Sequence, residues 1–328
     1  MASGGFRFSR STIMILDVIA EGNDTMTSRN PPITPRIPIR KIKVVPYLYV
    51  LPVVILMGTF VYVPMVQNFY YTLHNFSAFS TSYEFVGLEN VQKLLSDPVI
   101  KTALINNVWY CIISVLFQVL LAMVIASILE LKILNRVSTV FRSVYFVPVL
   151  ISMTVVAMLF TQIYAPKGLL NGFLSLFGDK VRTGWLGKTS AAIFCAIAMS
   201  QWHSMGYTIT LFIVAIQKIP AELYEAAEID GAGRVRKFLN ITAPQCREMM
   251  FVAMITTVSG AFLVFNDVYI LTRGGPGNSS ITLAVYMYNM AFTQDRMGYA
   301  SSIAISMLVI CLLLAVVQKR ILRSGEVD

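Results

Sequence analysis

The chain has 328 residues, 56% of them hydrophobic and 13% charged, with a formal net charge of +9 and a mean hydropathy of +0.68. A water-soluble globular domain, which is about 45–50% apolar and about 25% charged, is excluded by that balance. The basic residues sit beside the apolar stretches, as in the loops of a membrane protein, and not in the patches that hold nucleic acid.

Residues 1–43 are polar, with Pro31, Pro32, Pro35 and Pro38, and read as a partly disordered cytoplasmic tail. The apolar run Ile13–Ala20 is short, is interrupted by Asp17 and lacks a small-residue cleavage pattern, and so does not make a convincing signal peptide. The alternative for this stretch is a true start at Met26. The membrane domain follows over residues 44–320, with a short cytoplasmic tail at 321–328. Its spans are expected at roughly 46–73, 104–129, 143–165, 190–217, 248–271 and 297–318, each long enough for a hydrocarbon core of ~30 Å. Only helices or closed barrels satisfy backbone groups in lipid, and these runs are too long for barrel strands. The expected fold is an all-α, polytopic membrane bundle of about six transmembrane helices. Six crossings put both termini on one side. That side carries 18 of the 26 Lys and Arg residues and the other carries 8, so both termini are expected in the cytoplasm.

Between the spans, residues 87–101 (GLENVQKLLSDPVIK) suit a short interfacial helix, and 168–178 (GLLNGFLSLFG) a re-entrant or surface helix. Gly187-Lys188-Thr189 imitates the end of a phosphate-cradling loop, but Arg182 stands where G-x-x-x-x-G-K-[ST] needs its first glycine. Cys111, Cys195, Cys246 and Cys311 show no metal or redox spacing, and there are only two histidines. No catalytic or metal-binding residue is expected in this chain.

The fourth expected span carries Ser200-Gln201-Trp202-His203-Ser204-Met205-Gly206-Tyr207, the densest polar and aromatic cluster in the membrane region. Ser200, His203, Ser204 and Tyr207 share a helical face. Such a face lines a wet path or supplies helix–helix hydrogen bonds. Near the end of the fifth span lie Asn266 and Asp267, of which Asp267 suits a cap for the outer end of its helix.

Residues 219–244, IPAELYEAAEIDGAGRVRKFLNITAP, form a charged island between two spans. Pro220 suits the first turn of a helix, and Ala221 to Asp230 are good helix formers. Gly231 and Gly233 end that helix, because glycine accepts the left-handed conformation. A second helix is expected over Arg234–Thr242, with Val235, Phe238, Leu239 and Thr242 on one face, and Pro244 opening the next span. Helices this short are marginal in water and need a surface to dock on. Glu222, Glu225 and Glu228 give the first helix an acidic side, read either as a solvated face or as a contact for a partner.

The string Glu225-Ala226-Ala227-x-x-x-Gly231, followed by Ile241-x-x-Pro244, resembles the EAA loop of ABC importer permeases, with Ala243 where leucine is usual. Asp230-Gly231-Ala232-Gly233 and Phe238 resemble its carbohydrate-importing branch. So do Leu271-Thr272-x-Gly274-Gly275-Pro276, Tyr286-x-Tyr288, Ala291-Phe292 and Gly298-Tyr299-Ala300-Ser301. Over roughly residues 45–320 the chain is similar to permeases of the maltose and glycerol-3-phosphate type.

The resemblance implies the type I ABC importer permease fold in a bacterial inner membrane. It also implies a coupling loop at 218–247 whose Glu225, Ala226, Ala227, Asp230, Gly231, Phe238 and Pro244 meet an ATPase subunit. Aligned without gaps from that loop, Ser200, His203, Ser204 and Tyr207 fall where the maltose-type permease contacts its sugar. Gly260, Ala261 and Val264 fall at the other contact positions without the polar groups found there, leaving Asn266 and Asp267 to serve in their place. The implied partners are a second homologous permease, two ATPase subunits and an extracytoplasmic solute-binding protein. ATP and Mg would sit on the ATPase subunits, with no cofactor in this chain. The cargo would be a sugar, an oligosaccharide or a glycerol-phosphate-like polyol. The competing class is an ion-coupled secondary transporter, which would rely on intramembrane carboxylates, where only Asp267 comes close, and on inverted repeats, of which none is evident.

Overall fold

A computed structural model describes residues 44–77, 79, 83–131, 135–178 and 181–323. The expected tail at 1–43 and the end of the chain from 324 lie outside the described residues. The chain divides into two units, residues 1–54 and 55–328. Of the first, the described part is the opening of helix α1 (Val44–Met57).

Among the described residues, the regular structure of the second unit is helical apart from two two-residue strands, β1 (His74–Asn75) and β2 (Glu84–Phe85), paired antiparallel. A π-helical turn at Gly58–Tyr62 leads into α2 (Val63–Thr72). Beyond the strands, α3 (Glu89–Ser96) is the short helix expected near 87–101. Asp97 then caps α4 (Pro98–Ser114), accepting a hydrogen bond from the Val99 amide at 2.8 Å, as an N-cap carboxylate does. A π turn at Val115–Leu121 joins α4 to α5 (Ala122–Leu129). Together they make a 32-residue apolar helix that starts six residues before the expected span.

The third expected span is not straight. It folds as α6 (Asn135–Leu150) and α7 (Met153–Ile163), bent by 99°. Pro148 removes a backbone donor near the end of α6, and Ser152 is extended (φ −57°, ψ 137°). Next come the short surface helix α8 (Leu169–Leu174) and then α9 (Ala192–Ile216). The charged island holds α10 (Ala221–Ile229), α11 (Arg234–Lys237), a π turn at Phe238–Thr242 and the single turn α12 (Ala243–Gln245). The fifth expected span is also interrupted: α13 (Arg247–Phe262) stops, Leu263–Phe265 is irregular, and α14 (Asn266–Leu271) resumes. The chain ends on α15 (Leu283–Tyr288), a π turn at Asn289–Thr293 and α16 (Met297–Arg323).

Among the described residues, three helices are long and apolar enough to cross a membrane: Tyr47–Thr72, Pro98–Leu129 and Met297–Arg320. The α6–α7 pair makes a fourth if counted as one bent span. The other two expected crossings depart from a plain apolar rod for different reasons. Helix α9 has 25 residues, about 37 Å at 1.5 Å per residue, but its centre is polar. The α13–α14 pair is broken. Both line the same cavity.

Two apolar cores hold the second unit. The larger joins α4, α7, α9, α14, α15 and α16 around residues such as Ile197, Met199, Ile281 and Ile303. The smaller packs α5 against the lower part of α9 through Val119, Met123, Phe212 and Ile213, and receives Cys246 and Phe238 from the island. Gly206 lets α9 lie directly on α6: a β-carbon there would stand 1.8 Å from the Tyr145 carbonyl oxygen.

Candidate functional site: a polar cavity and a cornered loop

The break between α13 and α14 leaves backbone groups that neither helix can satisfy. In lipid such groups need partners from the protein, and side chains supply them. The Asn107 amide nitrogen donates to the Ala261 carbonyl at 2.7 Å, while its oxygen accepts from the Leu283 amide at 3.0 Å. Thr282 Oγ1 donates to the Val264 carbonyl at 3.0 Å. The α6–α7 bend is handled likewise, with His203 Nε2 donating to the Ile151 carbonyl at 3.1 Å.

These interruptions open a cavity of about 500 Å³. All nine candidate solute residues line it: Ser200, His203, Ser204 and Tyr207 from α9, and Gly260, Ala261, Val264, Asn266 and Asp267 from the broken pair. Gly260 faces open space, with nothing within 4 Å of a β-carbon built on it. Tyr207 is half exposed and Ser200 is buried. His203 does two jobs at once, lining the cavity and holding the bend. Trp202 does not line the cavity; it is tilted against Phe160 at 5.5 Å.

A third wall escaped the sequence reading. Tyr110 and Ser114 of α4, and Gln118 of the following π turn, also line the cavity. Their spacing of four residues on an otherwise apolar span is the signal that would have found them. Tyr110 donates to Asp267 Oδ2 at 2.6 Å. Gln118 and Ser114 both bond Gln201, which is buried beneath the cavity floor, at 2.9 and 3.0 Å. The walls are thus joined by hydrogen bonds between side chains that also face the empty volume.

The second candidate region is the charged island. Gly231 adopts φ +72°, with its amide bonded to the Glu228 carbonyl and the Ala232 amide bonded to the Ala227 carbonyl. That pair of bonds is a Schellman cap, which requires a left-handed residue. Gly233, expected to share this role, is instead extended at φ −68° and opens α11 as its N-cap. The corner is braced twice, by Lys237 to Glu228 at 2.7 Å and by a Tyr224–Thr242 hydroxyl bond at 2.9 Å. Burial pushes the Tyr224 phenol up from its ordinary value, against the opposing effect of its bond to Thr242.

The expected apolar face of the second helix is split. Phe238 and Thr242 pack inward, while Val235 and Leu239, on the other edge of that face, are exposed at 73% and 58%. Ile229, at 88%, joins them on the outside. Of the candidate coupling residues, Glu225, Ala226, Asp230, Gly231 and Pro244 are exposed, Ala227 is half-buried and Phe238 turns into the bundle. Pro244 lies in the single turn α12, and α13 begins only after Cys246. Among the described residues, no group of three or more His, Cys, Asp and Glu side chains is placed to hold a metal ion.

Residues 99–324 match the family described as binding-protein-dependent transport system inner membrane component. The chain is 48% identical over 286 residues to the probable ABC transporter permease protein YurN of Bacillus subtilis, covering 87% of this chain and 98% of YurN. It is 30% identical over 274 residues to the multiple sugar-binding transport system permease MsmF of Streptococcus mutans, covering 83% of this chain and 93% of MsmF. A solved bacterial alginate ABC transporter, in complex with an alginate pentasaccharide-bound periplasmic protein, contains a chain of similar fold. The TM-score is 0.76 at 21% identity, over 85% of this chain and 94% of that one.

Proposed function

The chain belongs to the inner membrane components of binding-protein-dependent transport systems and is a permease subunit of a sugar-type ABC importer; from that premise we propose that its cavity is the solute path and its cornered loop the grip of an ATPase. The observation that carries this reading is the convergence of residues 200–207 and 260–267, some sixty positions apart in the chain, on one cavity of about 500 Å³. That volume is in the range of small-molecule sites, about 300–1,000 Å³. Hydroxyl, amide and imidazole groups there suit the hydroxyls of a carbohydrate. The half-exposed Tyr207 ring suits the apolar face of a sugar ring.

In this reading the solute-binding protein delivers the sugar from the side opposite the island, as the both-termini-inside arrangement requires. The second permease completes the path, and two ATPase subunits bind and hydrolyse ATP with Mg. Glu225, Ala226, Ala227, Asp230 and Gly231 present the braced corner to an ATPase cleft, and Ile229, Val235 and Leu239 give it an apolar grip. Phe238 anchors the loop to the core that contains α5 and α9, so movement of the corner is passed to a cavity wall. Alternating access follows when the ATPase dimer closes and the corner swings.

The test is uptake of labelled oligosaccharide into membrane vesicles. Removing nucleotide should abolish uptake while ion gradients are intact, and Gly231→Pro should uncouple it by breaking the Schellman cap. Uptake driven by an ion gradient without nucleotide would contradict the proposal.

A further inference from the structure

Resting on the reading of the cavity as the sugar path, we infer that Asp267 makes this cavity reject acidic solutes, so that the transported carbohydrate is uncharged or carries an amine. Among the described residues that line the cavity there is no Lys or Arg, and Asp267 supplies the one formal charge. An acid sugar or a sugar phosphate entering there would meet a like charge with no cation from this chain's wall to offset it. The cavity's other polar groups are hydroxyls, amides and an imidazole, and the apolar core around it screens charge less than bulk water does.

The carboxylate is also held in place. Tyr110 donates to its Oδ2 at 2.6 Å. The Tyr110 side chain is buried and cannot swing away without losing that contact. Asp267 itself is half-buried at the start of α14, beside the gap left by the α13–α14 break. His203, also on the cavity wall, donates its Nε2 hydrogen to the Ile151 carbonyl at 3.1 Å. A cargo amine, by contrast, would find in Asp267 a charged acceptor already oriented toward the cavity. Of the cargoes expected from the sequence, the glycerol-phosphate-like polyol is the one this charge pattern disfavours.

The experiment uses the complete transporter, this permease with its second permease and ATPase subunits, in lipid nanodiscs without the binding protein. The probes are matched disaccharides of one size that differ in charge: the β-1,4 glucose dimer, the glucosamine dimer and glucuronosyl-glucose, with the galactose counterparts run in parallel. Affinities are read by saturation-transfer NMR. In the wild type the acidic member should bind at least about tenfold more weakly than the neutral one, and the amine at least as tightly as the neutral one. Asp267→Asn keeps an acceptor for Tyr110 and removes the charge, and should bring acid and neutral sugars within about threefold. Tyr110→Phe removes the hydrogen bond and keeps the charge, and should preserve the rejection of the acid.

Equal binding of acid and neutral sugars by the wild type would overturn the inference and leave the sugar path standing. So would a gap that persists unchanged in Asp267→Asn, or one that closes equally in Tyr110→Phe. Binding of none of the sugars would overturn the sugar path and this inference with it.

Discussion

The cavity and the cornered loop handle mismatched groups in opposite ways. Around the cavity, polar backbone is buried among apolar helices, and each freed group described there finds a side chain: Asn107 and Thr282 at the α13–α14 break, His203 at the α6–α7 bend. On the loop, large apolar side chains are left in the open, with Ile229, Val235 and Leu239 more than half exposed on a corner fixed by a Schellman cap and two cross-braces. Buried polar groups left without partners are costly. Irregular backbone kept inside a bundle therefore points to a use for the space it creates. Exposed apolar groups on a rigid turn point to a partner. In the proposed reading, one region is built around what passes through it, and the other around what holds it.

The comparison breaks first at Asn107. Replacing it with Leu strips partners from the Ala261 carbonyl and the Leu283 amide together, and should lower stability by about 2–4 kcal/mol. Thermal unfolding of the detergent-solubilised complex measures this, and an unchanged midpoint would mean the break is not held as described.

A smaller effect tests a clamp beside the cavity region. Burial alone would raise the Asp97 carboxyl, but hydrogen bonds from Tyr286 and Tyr299, and from the Val99 and Ile100 amides, outweigh it. They hold the group below its ordinary value of 3.8. Both tyrosine hydroxyls donate to Asp97 Oδ2 at 2.6 Å, tying α4 to α15 and α16. Because the folded-state value is the lower one, the contribution is complete above the ordinary value and is lost as pH falls through the folded-state value. The unfolding midpoint should therefore drop below about pH 4 in the wild type, and Asp97→Asn should lower it at neutral pH while flattening that acid limb.

The least effect on folding should come from the loop. Ile229→Asp with Leu239→Asp should change stability by less than about 0.5 kcal/mol, as surface substitutions do. The same pair should reduce co-purification of the ATPase subunits at least about tenfold, a loss of ~1.4 kcal/mol in binding. Full retention of the ATPase would separate those exposed groups from any grip.

Much of this was readable in the residues. The alternation of apolar runs and charged loops placed the helices, and the small-residue and glycine pattern of 225–231 placed the corner. The face shared by Ser200, His203, Ser204 and Tyr207 emerged from helical spacing alone. What stayed hidden were departures from ideal helix geometry. The gap at Leu263–Phe265 depends on distant side chains that cap freed carbonyls, and no local pattern announces it; the bend at Ile151–Ser152 has only Pro148 as a local sign and is completed by His203. Which edge of the 235–242 face meets the bundle, Phe238 and Thr242 rather than Val235 and Leu239, depends on tertiary docking that helical spacing does not foresee. Tyr110, Ser114 and Gln118 were visible as a four-residue repeat, yet their purpose depended on the opposite wall of the cavity.

The most direct measurement fills the space. Gly260 faces the cavity with nothing within 4 Å of an added β-carbon, so Gly260→Phe places a ring in the path without a clash at its root. In proteoliposomes supplied with ATP and sugar-loaded binding protein, uptake by Gly260→Phe should fall to background while the permease still co-purifies with its partners. Uptake at the wild-type rate by that variant would contradict the account.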